Sequence, residues 1–172
     1  AAALGVGPEL GDISWWSIDE AGVADRACFY DDTYVFGIDG SFMNMLGAET
    51  WVEGWQGGED ACAAPVAPHD GSNPATYVYD AGAGTVTISG KGSYLGIPKP
   101  FNGGELSSPD DAPEAITYIV VLSEGNTRMT VDIEINDGGW WRYIMVKEGG
   151  SAAPPIAVRG PHRSTRRGRT AG

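Results

Sequence analysis

Tryptophans and carboxylates are the side chains here with the most chemistry to offer. The chain has 172 residues, with six Trp and 23 Asp and Glu. Both types meet in Gly47–Gly71, GAETWVEGWQGGEDACAAPVAPHDG, which also holds one of two cysteines and one of two histidines. A sugar ring has apolar C–H faces that stack on aromatic rings, and hydroxyls that need polar partners. Trp51 and Trp55, with Glu53, Gln56 and Asp60 beside them, supply that set, although Trp is more usually packed in a core. On an extended chain Trp51, Glu53 and Trp55 point one way. They then form either a surface sugar platform or a pocket whose buried acid, Glu53, needs Lys99 or Arg142 as partner. Trp doublets at 15–16 and 140–141 each send one ring in and one out of a strand, which makes Trp16 and Trp140 further ligand candidates. Trp15 is expected to close one end of the fold, with Arg142 stacked on it.

Other chemistries fit less well. Asp132 and Glu134 share a strand face at roughly 7 Å, within the range of an inverting carboxylate pair. Their alternation with Met129, Val131, Ile133 and Ile135 places them on a solvated outer face instead. Glu53 and Glu59 are the other pair that could converge. No Gly-x-Ser-x-Gly elbow is present. His69, beside Asp70, reads as a loop residue hydrogen-bonded locally or at a ligand rim. No cofactor is expected; Asp31/Asp32 and Asp110/Asp111 offer Ca²⁺ only turn-borne oxygens without EF-hand spacing.

The elements that must position these residues are strands. Twenty-six Gly and 11 Pro punctuate short runs rich in Val, Ile, Thr and Tyr, the composition of strands joined by turns. The first is expected over 11–17, after a linker at 1–10, and residues 18–27 suit a short helical turn. Strands at 33–38 and 41–46 flank Asp39-Gly40, a type I′ hairpin signal. A third covers 49–56. Pro65 and Pro68 make the following stretch an irregular loop. Strands 76–79 and 85–89 form a second hairpin, continued and bent through 90–95. A long loop, 96–113, carries Lys99, Asn102 and Glu105. Strands 116–122, 128–135 and 140–146 make a meander. No βαβ spacing appears. The fold class is all-β: an antiparallel barrel or β-sandwich of eight to ten strands, over 11–148. The inward side chains are bulky, so a packed interior is favoured over an open pocket for a small apolar ligand.

Charge excludes one partner class. Residues 1–158 carry 6 basic against 23 acidic groups, a net −17, which repels nucleic-acid phosphates. Five arginines follow in 149–172, which reads as a linker or disordered basic tail. No run of about 18 apolar residues suggests a membrane span. Cys28 and Cys62 pair if the chain is secreted and are two thiols if it is cytosolic.

The ordered series GVGP, GDISWWS, RACFYDDTYVF, DGSF, ETWVEGWQG, PVAPHDGS, YLGIPK, NGGE and GGWWRY resembles lipocalin-like β-barrel accessory modules of secreted, multidomain polysaccharide-degrading proteins of marine bacteria. Such modules often accompany family 16 glycoside hydrolase domains. The resemblance covers roughly 11–147. It implies a secreted or cell-surface setting, neighbouring domains in a longer parent chain, a Cys28–Cys62 bridge and contact with a polysaccharide or oligosaccharide. The chain lacks the Glu-x-Asp-x-x-Glu strand motif of the family 16 catalytic domain, so the resemblance is to a non-catalytic appendage. The expected function is carbohydrate binding through Trp16, Trp51, Glu53, Trp55, Gln56, Asp60, His69, Lys99, Asn102 and Trp140. The alternatives are a small apolar ligand binder and a glycoside hydrolase.

Overall fold

The period-2 alternation of the last third is the strongest structural signal in the chain, and the sheet forms around it. A computed structural model describes residues 2–149. The predicted tail lies outside the described residues apart from Gly149. In chain order the strands are β1 (Leu4–Gly7), β2 (Trp16–Ser17), β3 (Thr33–Phe36), β4 (Ser41–Met45), β5 (Thr50–Val52), β6 (Ala61–Ala63), β7 (Ala75–Asp80), β8 (Thr85–Ser89), β9 (Pro100–Phe101), β10 (Gly104–Glu105), β11 (Ala115–Ser123), β12 (Arg128–Glu134) and β13 (Trp140–Val146). Nine of them make one antiparallel sheet, ordered β2-β1-β13-β12-β11-β8-β7-β4-β3. β5–β6 and β9–β10 are separate two-stranded ribbons. The sheet is open, because its end strands β2 and β3 do not pair with each other.

One face of the sheet carries the core. Val86, Ile88, Ile116, Tyr118, Val120, Val131, Ile133, Trp141 and Tyr143 alternate inward and are buried. The other face is lined by residues such as Thr87 and Thr117, whose hydroxyls meet across β8 and β11 at 2.9 Å. Asp132 departs from this pattern. It was expected to be solvated but is only 2% exposed, because Arg142, its register partner on β13, covers it. Arg142 Nε and Nη2 donate to the two carboxylate oxygens at 2.7 and 2.9 Å, and Nη1 donates to the Gly11 carbonyl at 3.3 Å. A buried carboxylate requires such a partner. Arg142 is therefore committed to Asp132 and does not stack on Trp15.

The core is closed by chain rather than by a second sheet. Gly92 to Pro98 is buried throughout, with Leu95 and Ile97 at 0% and 1% exposure. Irregular backbone in a core needs partners for its polar groups, and three side chains provide them. Asn44 Nδ2 donates to the Tyr94 carbonyl at 2.8 Å. Tyr118 Oη accepts from Leu95 N at 3.0 Å. Tyr34 Oη donates to the Gly96 carbonyl at 2.9 Å. The expected strand continuation through 90–95 is thus an internal plug. Gly96 has φ +78° and lies against the Tyr143 ring, so any Cβ there would overlap it.

Three other expectations shift. Residues 4–7 are β1, not linker: Leu4 is fully buried and pairs with Tyr143. The strand is hard to read because Gly5 and Gly7 occupy the places where Ile13 and the Asp12 backbone cross it closely. The predicted strand at 11–17 contracts to β2. Helices α1 (Glu20–Asp25) and α2 (Ala27–Tyr30) follow, α1 being capped by Asp19, which accepts from Gly22 N at 2.8 Å. The Asp39-Gly40 hairpin exists, but its loop is Gly37–Gly40 with a positive φ at Gly40 and not at Asp39. A type I′ turn needs two positive φ values; here Asp39 Oδ1 instead accepts from Ser41 N and Oγ at 3.0 and 2.6 Å.

Candidate functional site

The edge of the sheet at β2, β1 and β13 holds an aromatic row. Val6 pairs with Trp16 on one side and with Trp141 on the other. Register partners point to the same face, and adjacent strands lie about 4.8 Å apart. Trp16, Val6 and Trp141 therefore stand side by side where the core face opens at the sheet edge. Trp15 also lines this edge, its N–H donating to the Val6 carbonyl at 3.1 Å. These four residues, with Arg26 and Glu53, line a groove of about 330 Å³. Trp15 and Trp16 are 59% and 42% exposed, so both rings of the doublet face solvent rather than one.

Three further elements aim polar groups at this edge. Arg26, at the junction of α1 and α2, lies with its guanidinium carbon 4.4 Å from the Trp51 ring centroid and 5.5 Å from that of Trp16, a cation–π arrangement. Glu53 follows β5, and its Oε2 accepts from Trp55 Nε1 at 2.9 Å. The β9–β10 ribbon presents Glu105, whose Oε1 accepts from Trp141 Nε1 at 2.8 Å and whose Oε2 pairs with Lys99 Nζ at 3.3 Å. The Cys28–Cys62 disulfide is formed across a separation of 34 residues. It ties α2, next to Arg26, to β6, which pairs with the Trp51-bearing strand β5.

The structure separates the residues expected to act together. β5 ends at Val52, and Gly54–Gln56 turns as a 3-10 helix, so Trp51, Glu53 and Trp55 do not share a strand face. Two side-chain acceptors hold the turn: Gly54 N donates to Asp60 Oδ1 at 2.7 Å, and Glu53 N donates to the buried Gln56 Oε1 at 3.1 Å. Asp60 and Gln56 are thereby structural. Trp51 is buried, at 9% exposure, beneath Arg26. Trp55 is half-buried and packs edge-on against His69, with centroids 5.5 Å apart. His69 is 3% exposed, with no hydrogen-bond partner on Nδ1 among the described residues, so it is neither a rim residue nor locally hydrogen-bonded through that atom. Its burial pushes the imidazole pKa down to about 4. Asn102 is spent on β11, donating to the Thr117 carbonyl at 2.8 Å and accepting from Thr117 N at 2.6 Å. Trp140 is half-buried on the face away from Trp141. Of the expected set, Trp16 and Glu53 line the groove, and Lys99 reaches it through Glu105.

Asp132 is neutralised by Arg142, while Glu134 and Glu59 are exposed at separate places. Among the described residues no three His, Cys, Asp or Glu side chains come together as metal ligands. Asp110 and Asp111 sit in a 3-10 turn begun by Ser108, whose Oγ accepts from Asp110 N at 3.3 Å. Asp32 accepts from Thr50 Oγ1 at 2.7 Å, and burial raises its pKa to about 7. A second, open concavity of about 510 Å³ lies nearby, lined by Cys28, Asp31, Glu49 and small residues. No described helix is long and apolar enough to cross a membrane.

Comparison with protein-family models, curated proteins and solved structures finds no match to this chain.

Proposed function

We propose that this chain is a non-catalytic carbohydrate-binding module that holds a poly- or oligosaccharide along the exposed rings of Trp15 and Trp16, with the buried Trp141 beneath the groove. The observation that carries the reading is the row Trp16–Val6–Trp141 across three adjacent strands, with two exposed indoles beside Arg26 and Glu53. Exposed aromatic faces bury poorly in water and well against sugar C–H faces. Glu53 supplies an acceptor for hydroxyls and Arg26 supplies donors. The row lies on sheet backbone and the acids are already held by indole N–H groups, so little ordering accompanies binding. The setting that the sequence resemblance implies, a secreted accessory domain of a longer polysaccharide-degrading protein, agrees with the formed disulfide. The plug at 92–98 fills the face that a small apolar ligand would occupy in a lipocalin-like module.

Affinity electrophoresis against a panel of β-glucans, mannans and algal galactans tests the proposal. Wild type is expected to be retarded by at least one of them. Trp16→Ala and Trp15→Ala are expected to weaken that retardation about tenfold, since one well-placed ring contributes on the order of 1 kcal/mol or more. Both rings are exposed, so thermal stability should barely change. No retardation by any member, or unchanged retardation of both variants, would overturn the reading.

A further inference from the structure

Arg26 is the one basic side chain lining the groove. Two other cations are paired with carboxylates, Arg142 with Asp132 and Lys99 with Glu105, and Lys91 Nζ donates to the Asp110 carbonyl at 3.3 Å. Among the described residues Arg26 has neither an ion-pair partner nor a side-chain hydrogen bond. Glu53 lines the same groove but gives an oxygen to Trp55. The Arg26 guanidinium is instead placed by aromatic rings, at 4.4 Å from Trp51 and 5.5 Å from Trp16. Rings on a guanidinium face remove water from that face and leave its N–H edge unsatisfied. A planar donor edge held in place beside exposed indoles matches two oxygens of one anionic group.

The geometry points to Arg26 as the recognition point for an anionic substituent, a carboxylate or a sulfate ester, on the glycan that lies along Trp15 and Trp16. This inference rests on the groove being a carbohydrate site and narrows its ligand class. The net charge of the body opposes a polyanion at long range. At physiological ionic strength that field is screened beyond about 8 Å, so the contact at Arg26 outweighs it. A neutral glycan would leave the donor edge to water.

The test uses oligosaccharide pairs that differ only in the substituent: cello-oligosaccharides against their C6-carboxylated forms, and agaro-oligosaccharides against sulfated galactan oligosaccharides. Titration calorimetry at about 0.15 M salt is run on the full chain, on Arg26→Gln, on Arg26→Lys and on Trp16→Ala. At least one anionic member is expected to bind about tenfold more tightly than its neutral partner. Arg26→Gln should abolish that preference, and Arg26→Lys should lose most of it, because an ammonium lacks the planar fork. Neutral members lose only the Arg26 donors to hydroxyls, so in both variants they should lose less affinity than their anionic partners. The two pairs separate carboxylate from sulfate recognition. Should Arg26→Gln fail to fold, the wild-type preference and the lysine variant still decide. Equal or tighter binding of neutral members, lost in Trp16→Ala, overturns the inference and leaves the groove as a sugar site. A preference that survives both Arg26 variants overturns it too. Failure of every oligosaccharide to bind removes the carbohydrate reading itself.

Discussion

Replacing His69 with Phe isolates the proton linkage of a buried histidine. His69 packs edge-on between Trp55 and Tyr94, at 5.5 and 6.0 Å between centroids. A phenyl ring keeps those contacts and cannot be protonated. Burial lowers the imidazole pKa from 6.5 to about 4, with neighbouring Asp70 pulling weakly upward. The unfolded chain therefore takes up a proton below about pH 6.5 that the folded chain refuses until about pH 4. Stability falls as pH drops through that window, by about 1.4 kcal/mol per pH unit and on the order of 3 kcal/mol in all. That is a large share of the ~5–15 kcal/mol typical of a domain. Asp32 acts in the opposite sense: with its pKa raised to about 7, the folded state holds a proton that the unfolded chain has lost, so its contribution to stability declines as pH rises. The difference between wild type and His69→Phe cancels Asp32 and every other common group. Urea unfolding followed by Trp fluorescence, with the disulfide intact, measures it in half-unit steps from about pH 7.5 to about pH 4. The expected difference is flat above pH 6.5 and grows against wild type below it. Parallel stability curves through the whole range would refute the buried, neutral histidine.

Two further outcomes follow from the core. Arg142→Met strands the Asp132 carboxylate, 2% exposed, and should cost about 3–5 kcal/mol; the Asp132→Asn/Arg142→Met double variant should recover part of this in the same urea assay, and additive losses would contradict the pairing. Gly96→Ala forces a Cβ onto the Tyr143 ring at φ +78°, in a plug with no room to move, and should cost more than about 2 kcal/mol with a lowered thermal midpoint; a neutral result would mean that the plug is loosely held.

The sheet was legible where side chains alternate and opaque where backbone does the packing. The runs Thr85–Ser89 and Trp140–Val146 end where the sequence places them, because each alternates buried and outward residues between turn glycines. β1 was hidden in Leu4-Gly5-Val6-Gly7, whose glycines serve close approach of the 12–13 backbone and side chain rather than a turn. The plug was hidden for a related reason. SYLGIPKP has apolar residues without a strand period, and its backbone is satisfied by Asn44, Tyr34 and Tyr118, each at least 23 residues away. Composition registers neither device, so 90–95 resembled a bent strand and 1–10 a linker.

The site shows the same division on a smaller scale. Trp51, Glu53 and Trp55 look like a set only while the segment is extended. Gly54 and the reach of Asp60 to its amide end the strand at Val52, and the set divides into a buried ring, a groove acid and a ring packed on His69. The exposed indoles are those of the earlier doublet, Trp15 and Trp16, at the outer edge of the sheet. Arg26 carried one signal in the sequence: an isolated base two residues before Cys28, amid Asp19, Glu20, Asp25, Asp31 and Asp32. That environment suggests a charge neutralised at once by its neighbours. The chain instead turns from α1 into α2 at this residue, the Cys28–Cys62 bridge draws α2 against the β5–β6 ribbon, and the guanidinium comes to rest on Trp51 with its donor edge at the groove. What the aromatic segment contributes is thus a floor under Arg26, and the proposed binding surface is the sheet edge on which Trp15 and Trp16 stand.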